Sequence, residues 1–322
     1  MHITIRESGA LTTVQDAGRY GYQGQGIPLS GAMSPLAMKM ANILVGNPVN
    51  HPVIECIGTG PEIEFSGAVC FAVCGGSFRV FLNEQPIETN RTYRAKAADL
   101  LKIANAPRGR SCVIAFSADF VLPAVYGSWA TDIKSGLGPN RGGKLQAGTV
   151  IELTEVRSTL PNMDRRFFPP GTPDPGFTVL RVIEGPNAES FSEKGRRTFY
   201  ENAFTVSLQS DKMGFRLEGP AIETVQGNDI ISSGLCDGAI QVTPDAPIMM
   251  MKNHATTGGY AVIAAVISAD FSKASQLMPG DRIRFRKVSL EEAQEALRKQ
   301  NAYLLAAERE FSRKGILGIF RK

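Results

Sequence analysis

Apolar and polar residues alternate in short runs over most of the chain. Phe78-Arg79-Val80-Phe81-Leu82 and Val150-Ile151-Glu152-Leu153 put successive side chains on opposite faces, the pattern of half-buried strands. Thr178 to Ile183 and the apolar run Tyr260 to Ile267 predict further strands. Arg282-Ile283-Arg284-Phe285-Arg286 alternates cleanly enough to have one wet face. Two segments switch to a helical period. Ser34 can cap a helix with Pro35 at its first position, where the missing N–H costs nothing. Leu36, Met40, Ile43 and Leu44 then recur on one side, and Gly46-Asn47-Pro48 ends the helix. The second helix starts at Ser289, with Glu292 completing a capping box and Leu290, Ala293, Leu297, Leu304 and Phe311 as its apolar positions. A tail from Gly315 to Lys322 follows, to dock on its own chain, to fray or to meet a partner.

The clearest break in the pattern is Pro161 to Gly176, where prolines remove backbone donors and fix φ. It predicts a Pro-rich linker over residues 161–177, between a domain at 1–160 and another at 178–288, with a helix and tail at 289–322. A chain of 322 residues is long enough for two cores, and 33 glycines and 19 prolines scattered along it suit many short strands and turns.

Charge and cysteine narrow the function classes. The net charge of +4 is small, and no basic block stands out before the last residues, which argues against nucleic acid. The five cysteines form no CxxC pair and suit reduced core thiols; Cys70 and Cys74 should share one strand face. No signal sequence opens the chain and no apolar stretch reaches membrane-spanning length, so a cytoplasmic location without membrane contact is expected. His2, His51 and His254 lack metal spacing, and no GxSxG elbow occurs, so neither a metal site nor a serine hydrolase is expected. His254 is expected at the surface.

Two motifs mislead. Ala37-Met38-Lys39-Met40 spells a biotin-attachment sequence, but Lys39 falls inside the capped helix and not at a hairpin tip, so biotin on Lys39 is not expected. Gly138 to Lys144 nearly spells a phosphate-binding loop, yet Leu145 replaces the Ser or Thr that would hold Mg²⁺, and a strand pattern follows. A plain turn, or a basic loop touching an anionic substrate, are the readings left.

Thr12-Thr13-Val14-Gln15-Asp16-Ala17-Gly18-Arg19-Tyr20-Gly21, then Ser30-Gly31-Ala32-Met33, form one composite motif. Ala41 to Asn47, Gly127-Ser128 with Thr131-Asp132, Gln209 to Pro220, Gly238 to Val242, Thr256-Thr257-Gly258-Gly259-Tyr260 and Pro279-Gly280-Asp281 follow in order. This series resembles the biotin-dependent carboxyltransferase family, which holds the C-type subunit of 5-oxoprolinase, allophanate hydrolase subunit 2, the carboxyltransferase region of urea amidolyase and an antagonist of a sporulation-kinase inhibitor. The resemblance implies a mainly β (α+β) fold of two cyclophilin-like β-barrel domains with a C-terminal helix. It implies a hetero-oligomer with a B-type subunit, of the kinase-inhibitor or allophanate hydrolase subunit 1 kind, and in some members an A-type subunit. Its substrates are small carboxylates or amides such as 5-oxoproline, with ATP and Mg²⁺ in the complex and no cofactor covalently bound.

Read physically, the matching residues suit binding and polarising an anion better than supplying a nucleophile. The candidate catalytic residues are Gln15 to position a carbonyl, Asp16 as a base, Arg19 as a planar fork for a carboxylate, and Tyr260. An Asp16–Arg19 ion pair is the alternative for those two. The candidate substrate-binding residues are Lys212, Arg216, Gln241, Thr256, Thr257, Gly258 and Gly259. Lys212, Arg216 and Glu218 should share a strand face, for binding or for salt bridging. The paired glycines Gly258-Gly259 of the Thr256 to Tyr260 motif allow close backbone approach, unless they only turn the chain into the next strand. Departures from the family pattern (Ser34 for an acid, Asn253 for an acid, Gly143 for arginine, Ser117-Ala118 for paired glycines) mark a divergent member. Two functions compete: an enzyme subunit for ATP-dependent 5-oxoproline hydrolysis or a related carboxyl or amide reaction, and a non-catalytic protein-binding regulator that antagonises a kinase inhibitor. Prolyl isomerisation by fold analogy carries little weight.

Overall fold

The computed structural model of the protein describes residues 1–169 and 177–312. The tail expected at Gly315 to Lys322, and residues 170–176 of the expected linker, lie outside them. The protein is mainly β, with four α-helices among the described residues. Contacts divide these into two units, neither continuous in sequence: residues 1–18, 34–169 and 301–312 form the first, and residues 19–33 and 177–300 the second. The sequence boundaries run straight along the chain; the contacts instead place the stretch after Gly18 with the second unit and the end of the last helix with the first.

The first unit holds two sheets around one core. The seven-stranded sheet runs Asp119–Phe120, Val150–Thr154, His2–Glu7, Glu62–Phe65, Leu100–Ile103, Val80–Leu82, Gln85–Ile87. The five-stranded sheet runs Leu11–Gln15, Val53–Ile57, Ser111–Phe116, Val69–Gly75, Thr92–Ala95. Ile3, Phe65, Phe71, Ile114 and Phe116, drawn from both sheets, are fully buried between them. Helix α1, Pro35–Val45, lies on Val69–Gly75 and Ser111–Phe116, which is why the latter is buried at every position. Its ends are those expected: Ser34 Oγ accepts from Ala37 N at 3.3 Å, and Gly46 takes the left-handed C-cap with φ 72°. Cys70 and Cys74 are both buried, and Cys56 faces Cys112 across paired strands with sulfurs 3.0 Å apart as free thiols.

The expected linker is not loose where it is described. Phe168 is buried, its N–H donates to Asn90 O at 2.8 Å, and Met163–Arg165 forms a 3-10 turn. Arg166 reaches from this turn to the carbonyls of Pro161, Ile43, Leu44 and Phe311. Arg166 and Phe168 of the Arg-Arg-Phe-Phe stretch supply the burial that a proline count overlooks, while Phe167 stays exposed.

The second unit is a closed seven-stranded barrel: Thr178–Glu184, Val262–Val266, Ala239–Val242, Pro247–Met250, Gly214–Glu218, Phe204–Val206 and Arg282–Lys287, which closes on Thr178–Glu184 in parallel with Leu180 opposite Phe285. Arg282–Lys287 alternates as expected, with Ile283 and Phe285 inside. Helix α2, Glu193–Glu201, lies on that strand and stacks Phe199 on Phe285 at 4.5 Å. Helix α3, Ser268–Ala274, sits beside Thr178–Glu184. Met33, from the 19–33 segment, is fully buried in the barrel core. A separate ribbon pairs Asp229–Gly234 with Thr257–Tyr260. The predicted strand from Tyr260 to Ile267 is therefore two: Tyr260 ends the ribbon strand and the barrel strand begins at Val262.

Helix α4, Leu290–Ser312, opens with the capping box in full: Ser289 N donates to Glu292 Oε2 at 2.8 Å, and Glu292 N to Ser289 Oγ at 3.2 Å.

Candidate functional site

The first motif splits between structural tasks. Gln15 ends the strand Leu11–Gln15, wholly buried, with Nε2 donating to Thr13 Oγ1 and Thr131 O at 2.9 Å each and Oε1 buried without a hydrogen bond. Asp16 accepts from Gly18 N at 2.9 Å, Ser128 Oγ at 2.7 Å and Trp129 N at 2.8 Å. Its oxygens thus pin the Gly127-Ser128 motif, more than a hundred residues on. Arg19 is wholly buried, and its N–H donates to Leu29 O at 2.7 Å.

The near-P-loop does not cradle phosphate. Asn140–Gly142 is a 3-10 turn, a side chain on Gly142 would meet the Gly136 backbone, and Asn140 Nδ2 ties the loop shut on Lys144 O at 2.8 Å. A strand follows where a phosphate site needs a helix N-terminus. Lys39 sits inside α1.

In the second unit, Asp211 Oδ1 accepts from Met213 N at 2.8 Å, bending the chain ahead of the strand Gly214–Glu218. Lys212 lies in that bend, so it does not share a strand face with Arg216 and Glu218; its carbonyl instead accepts Asn253 N at 2.8 Å. Arg216 lies 3.6 Å from Asp245 and lines a shallow groove with Ser207, Gln209 and Glu218.

In the Thr256 to Tyr260 motif, Thr257–Tyr260 is a strand and not the turn that was the alternative. Gly258 lies so close to Gln241 that an added Cβ would stand 2.5 Å from its Nε2 and 2.8 Å from Leu235. Buried Gln241 in turn donates to Tyr260 O at 2.9 Å, bracing the ribbon on the barrel. Thr257 is exposed, and Gly259 and Tyr260 are half-buried.

Beside this ribbon opens a cleft of about 460 Å³. Leu29, Ile183, Ala265, Leu290, Ala293 and Leu297 form an apolar wall, and Tyr20, Gln23, Gln294 and Ser268 edge it. Its polar end holds Cys236, Asp237, His254 and Thr256. Thr256 is thus the one candidate substrate-binding residue brought to this cleft. Asp237 is tied to Lys252 Nζ at 2.6 Å, and Lys252 is 5% exposed with its ammonium 5.5 Å from the Phe271 ring centre. His254 Nδ1 donates to Ala255 O at 2.6 Å, since a carbonyl can only accept, and Nε2 stands 3.5 Å from Asp237 Oδ1. Burial alone would raise the Asp237 carboxyl, but the His254 contact and the Lys252 charge outweigh it and hold it below the usual carboxylate range. His254 is buried, against the surface role expected for it. Asp237 and Lys252 were not singled out by the sequence; the signal was two titratable residues, Lys252 and His254, crowded after the apolar run Met249-Met250-Met251.

Among the described residues no cluster of His, Cys, Asp or Glu has the form of a metal site, and no helix is long and apolar enough to cross a membrane.

Comparison with known proteins supplies the context. The chain is 33% identical to the C-type subunit of 5-oxoprolinase from Haemophilus influenzae over 306 residues, 94% of this chain and 96% of that protein. It is 31% identical to the Escherichia coli protein of the same name over 308 residues, again 94% and 96%. The Kluyveromyces lactis urea amidolyase structure superposes with a TM-score of 0.88 at 26% identity, over 95% of this chain but 20% of that one. The family model of the carboxyltransferase domain, subdomain A and B, matches residues 25–287, and with these likenesses the chain belongs to that carboxyltransferase family.

Proposed function

We propose that this chain is the C-type subunit of a multi-subunit enzyme that opens the five-membered lactam 5-oxoproline to glutamate, with the cleft of the second unit as the place where the lactam sits. The likeness to two C-type subunits of 5-oxoprolinase carries the reading, because it spans nearly all of both chains. The cleft supports it with an apolar wall for ring methylenes and a polar end for the amide.

In the reaction the ring C–N bond breaks, water supplies hydroxyl to the carbonyl carbon and a proton to nitrogen, and ATP hydrolysis drives the opening. The Gly138 to Lys144 loop does not fit a nucleotide phosphate, so ATP and Mg²⁺ belong to the partner subunits in this reading. The partners would be a B-type and an A-type subunit.

The test is to purify the tagged protein from its native host, identify what stays bound by mass, and assay the complex for glutamate release from 5-oxoproline. ATP-dependent glutamate release is the expected result. A stable complex with no turnover of 5-oxoproline would overturn the hydrolase reading in favour of a regulator.

A further inference from the structure

The polar end of the cleft is more specific than a generic wet patch. An ionised carboxylate only accepts hydrogen bonds, and its two oxygens offer about four acceptor positions. Lys252 occupies one on Asp237 Oδ2, while Oδ1 is enclosed without a hydrogen bond, 3.5 Å from His254 Nε2, so the acceptor position left for the cleft is the remaining one on Oδ2. The Asp237 side chain is 24% exposed and lines the cleft, whereas Lys252 is 5% exposed and does not. The cleft thus meets a carboxylate with acceptor capacity to spare, backed by a cation that fixes its charge. Because Lys252 already neutralises Asp237, a second full positive charge gains little there, and a neutral N–H donor is the better match.

We propose that Asp237 accepts the amide N–H of the substrate, so that the cleft selects nitrogen over oxygen at that position of the ligand. The inference rests on the reading that the cleft holds the lactam, and it adds the atom by which the lactam is recognised. Replacing the ring N–H by oxygen turns a donor into lone pairs facing a carboxylate. Sites built around a substrate N–H discriminate strongly against analogues that lack it. Thr256, on the same wall, offers a hydroxyl that can donate to a carbonyl beside that N–H.

The probe is 5-oxoproline against its lactone isostere, which carries oxygen in place of the ring N–H and keeps the carboxylate. Binding of each is measured by calorimetry on the complex purified with its native subunits, for the unaltered chain, Asp237→Asn and Leu297→Trp. The lactam should bind at least about 10²-fold more tightly than the lactone. Asp237→Asn should cut that ratio tenfold or more, since its amide can donate to a ring oxygen. Leu297→Trp should abolish binding of both by filling the cleft. Should Asp237→Asn fold poorly with Lys252 left uncompensated, the pair Asp237→Asn with Lys252→Met carries the same comparison. A ratio that Asp237→Asn leaves unchanged, while Leu297→Trp abolishes binding, overturns N–H recognition and leaves the cleft assignment standing. Lactam binding that survives Leu297→Trp, or is absent from the unaltered complex, overturns the cleft reading itself and the proposal with it.

Discussion

Lys252 and Asp237, fifteen residues apart, meet at 2.6 Å where the hairpin of Ala239–Val242 and Pro247–Met250 brings its two ends together. The ammonium is almost completely enclosed, so the pair is a buried one in which each charge answers for the other. Removing one partner leaves the other stranded.

Lys252→Met is therefore expected to lower stability at pH 7 by about 2–4 kcal/mol, read from urea unfolding. The effect should depend on pH with a definite sign. Asp237 is held below the usual carboxylate range, so its contribution is present above an unfolded value near ~3.9 and is lost as pH falls through the folded one. Unfolding curves at pH 7 and at pH 3 should show the gap between Lys252→Met and the unaltered chain narrowing in acid.

Gly258→Ala should disturb the ribbon through Gln241. The added methyl would stand 2.5 Å from Gln241 Nε2, and that amide cannot retreat without giving up its bond to Tyr260 O. A cost of about 1–3 kcal/mol is expected, as for other overpacked sites. Combined with Gln241→Ala the loss should be smaller than the sum of the two by roughly 1 kcal/mol or more, measured in a double-mutant cycle. Strict additivity would mean that the two do not touch.

Arg166→Ala should loosen the first unit locally. The guanidinium donates to the last-turn carbonyls of α1, Ile43 O (shared with Gly46 N) and Leu44 O (shared with Thr92 Oγ1), and to Phe311 O near the end of α4. About 3 kcal/mol should be lost, and amide exchange should quicken at the end of α1 and over residues 301–312. Exchange unchanged in both places would refute the clamp.

Tyr200→Phe should stabilise. The Tyr200 hydroxyl is buried with no hydrogen bond, which costs free energy that a phenyl ring would not. Burial, with Glu184 nearby, pushes this phenol up from 10.0 to about 12. Because its pKa is raised in the folded chain, stability holds below the unfolded value near ~10 and fades as pH climbs toward the folded one. The variant should gain about 0.5–1 kcal/mol at pH 7 and lose less stability than the unaltered chain between pH 9 and 11.

What could be read from the sequence follows how local each signal was. Both capped helices were legible to the residue, because Ser34, Pro35 and Gly46, or Ser289 and Glu292, act within one turn. Helix α2 was not, since only Gly195 and Phe199 of its nine residues are buried and no apolar stripe forms. The parallel pairing of Leu180 with Phe285 joins residues too distant for any periodicity to announce. At the site, Thr256 was legible from its motif, but its neighbours in the cleft were not. Attention fell on Asn253 as an altered position, while Lys252 and His254 on either side of it gain meaning only when the hairpin delivers Asp237.

The assignment of residues 19–33 to the second unit has a consequence for how the protein is born. Met33 belongs to the barrel core, and Tyr20, Gln23 and Leu29 to its cleft, yet the ribosome makes them well over a hundred residues before the first barrel strand. They must wait until Arg282–Lys287 closes the barrel, a contact order that slows folding and leaves apolar surface uncovered meanwhile. A fragment beginning at Phe177 would carry every barrel strand and still lack a buried core side chain and one edge of its cleft. A synthetic peptide of residues 19–33, added in trans, is the piece that should make it whole.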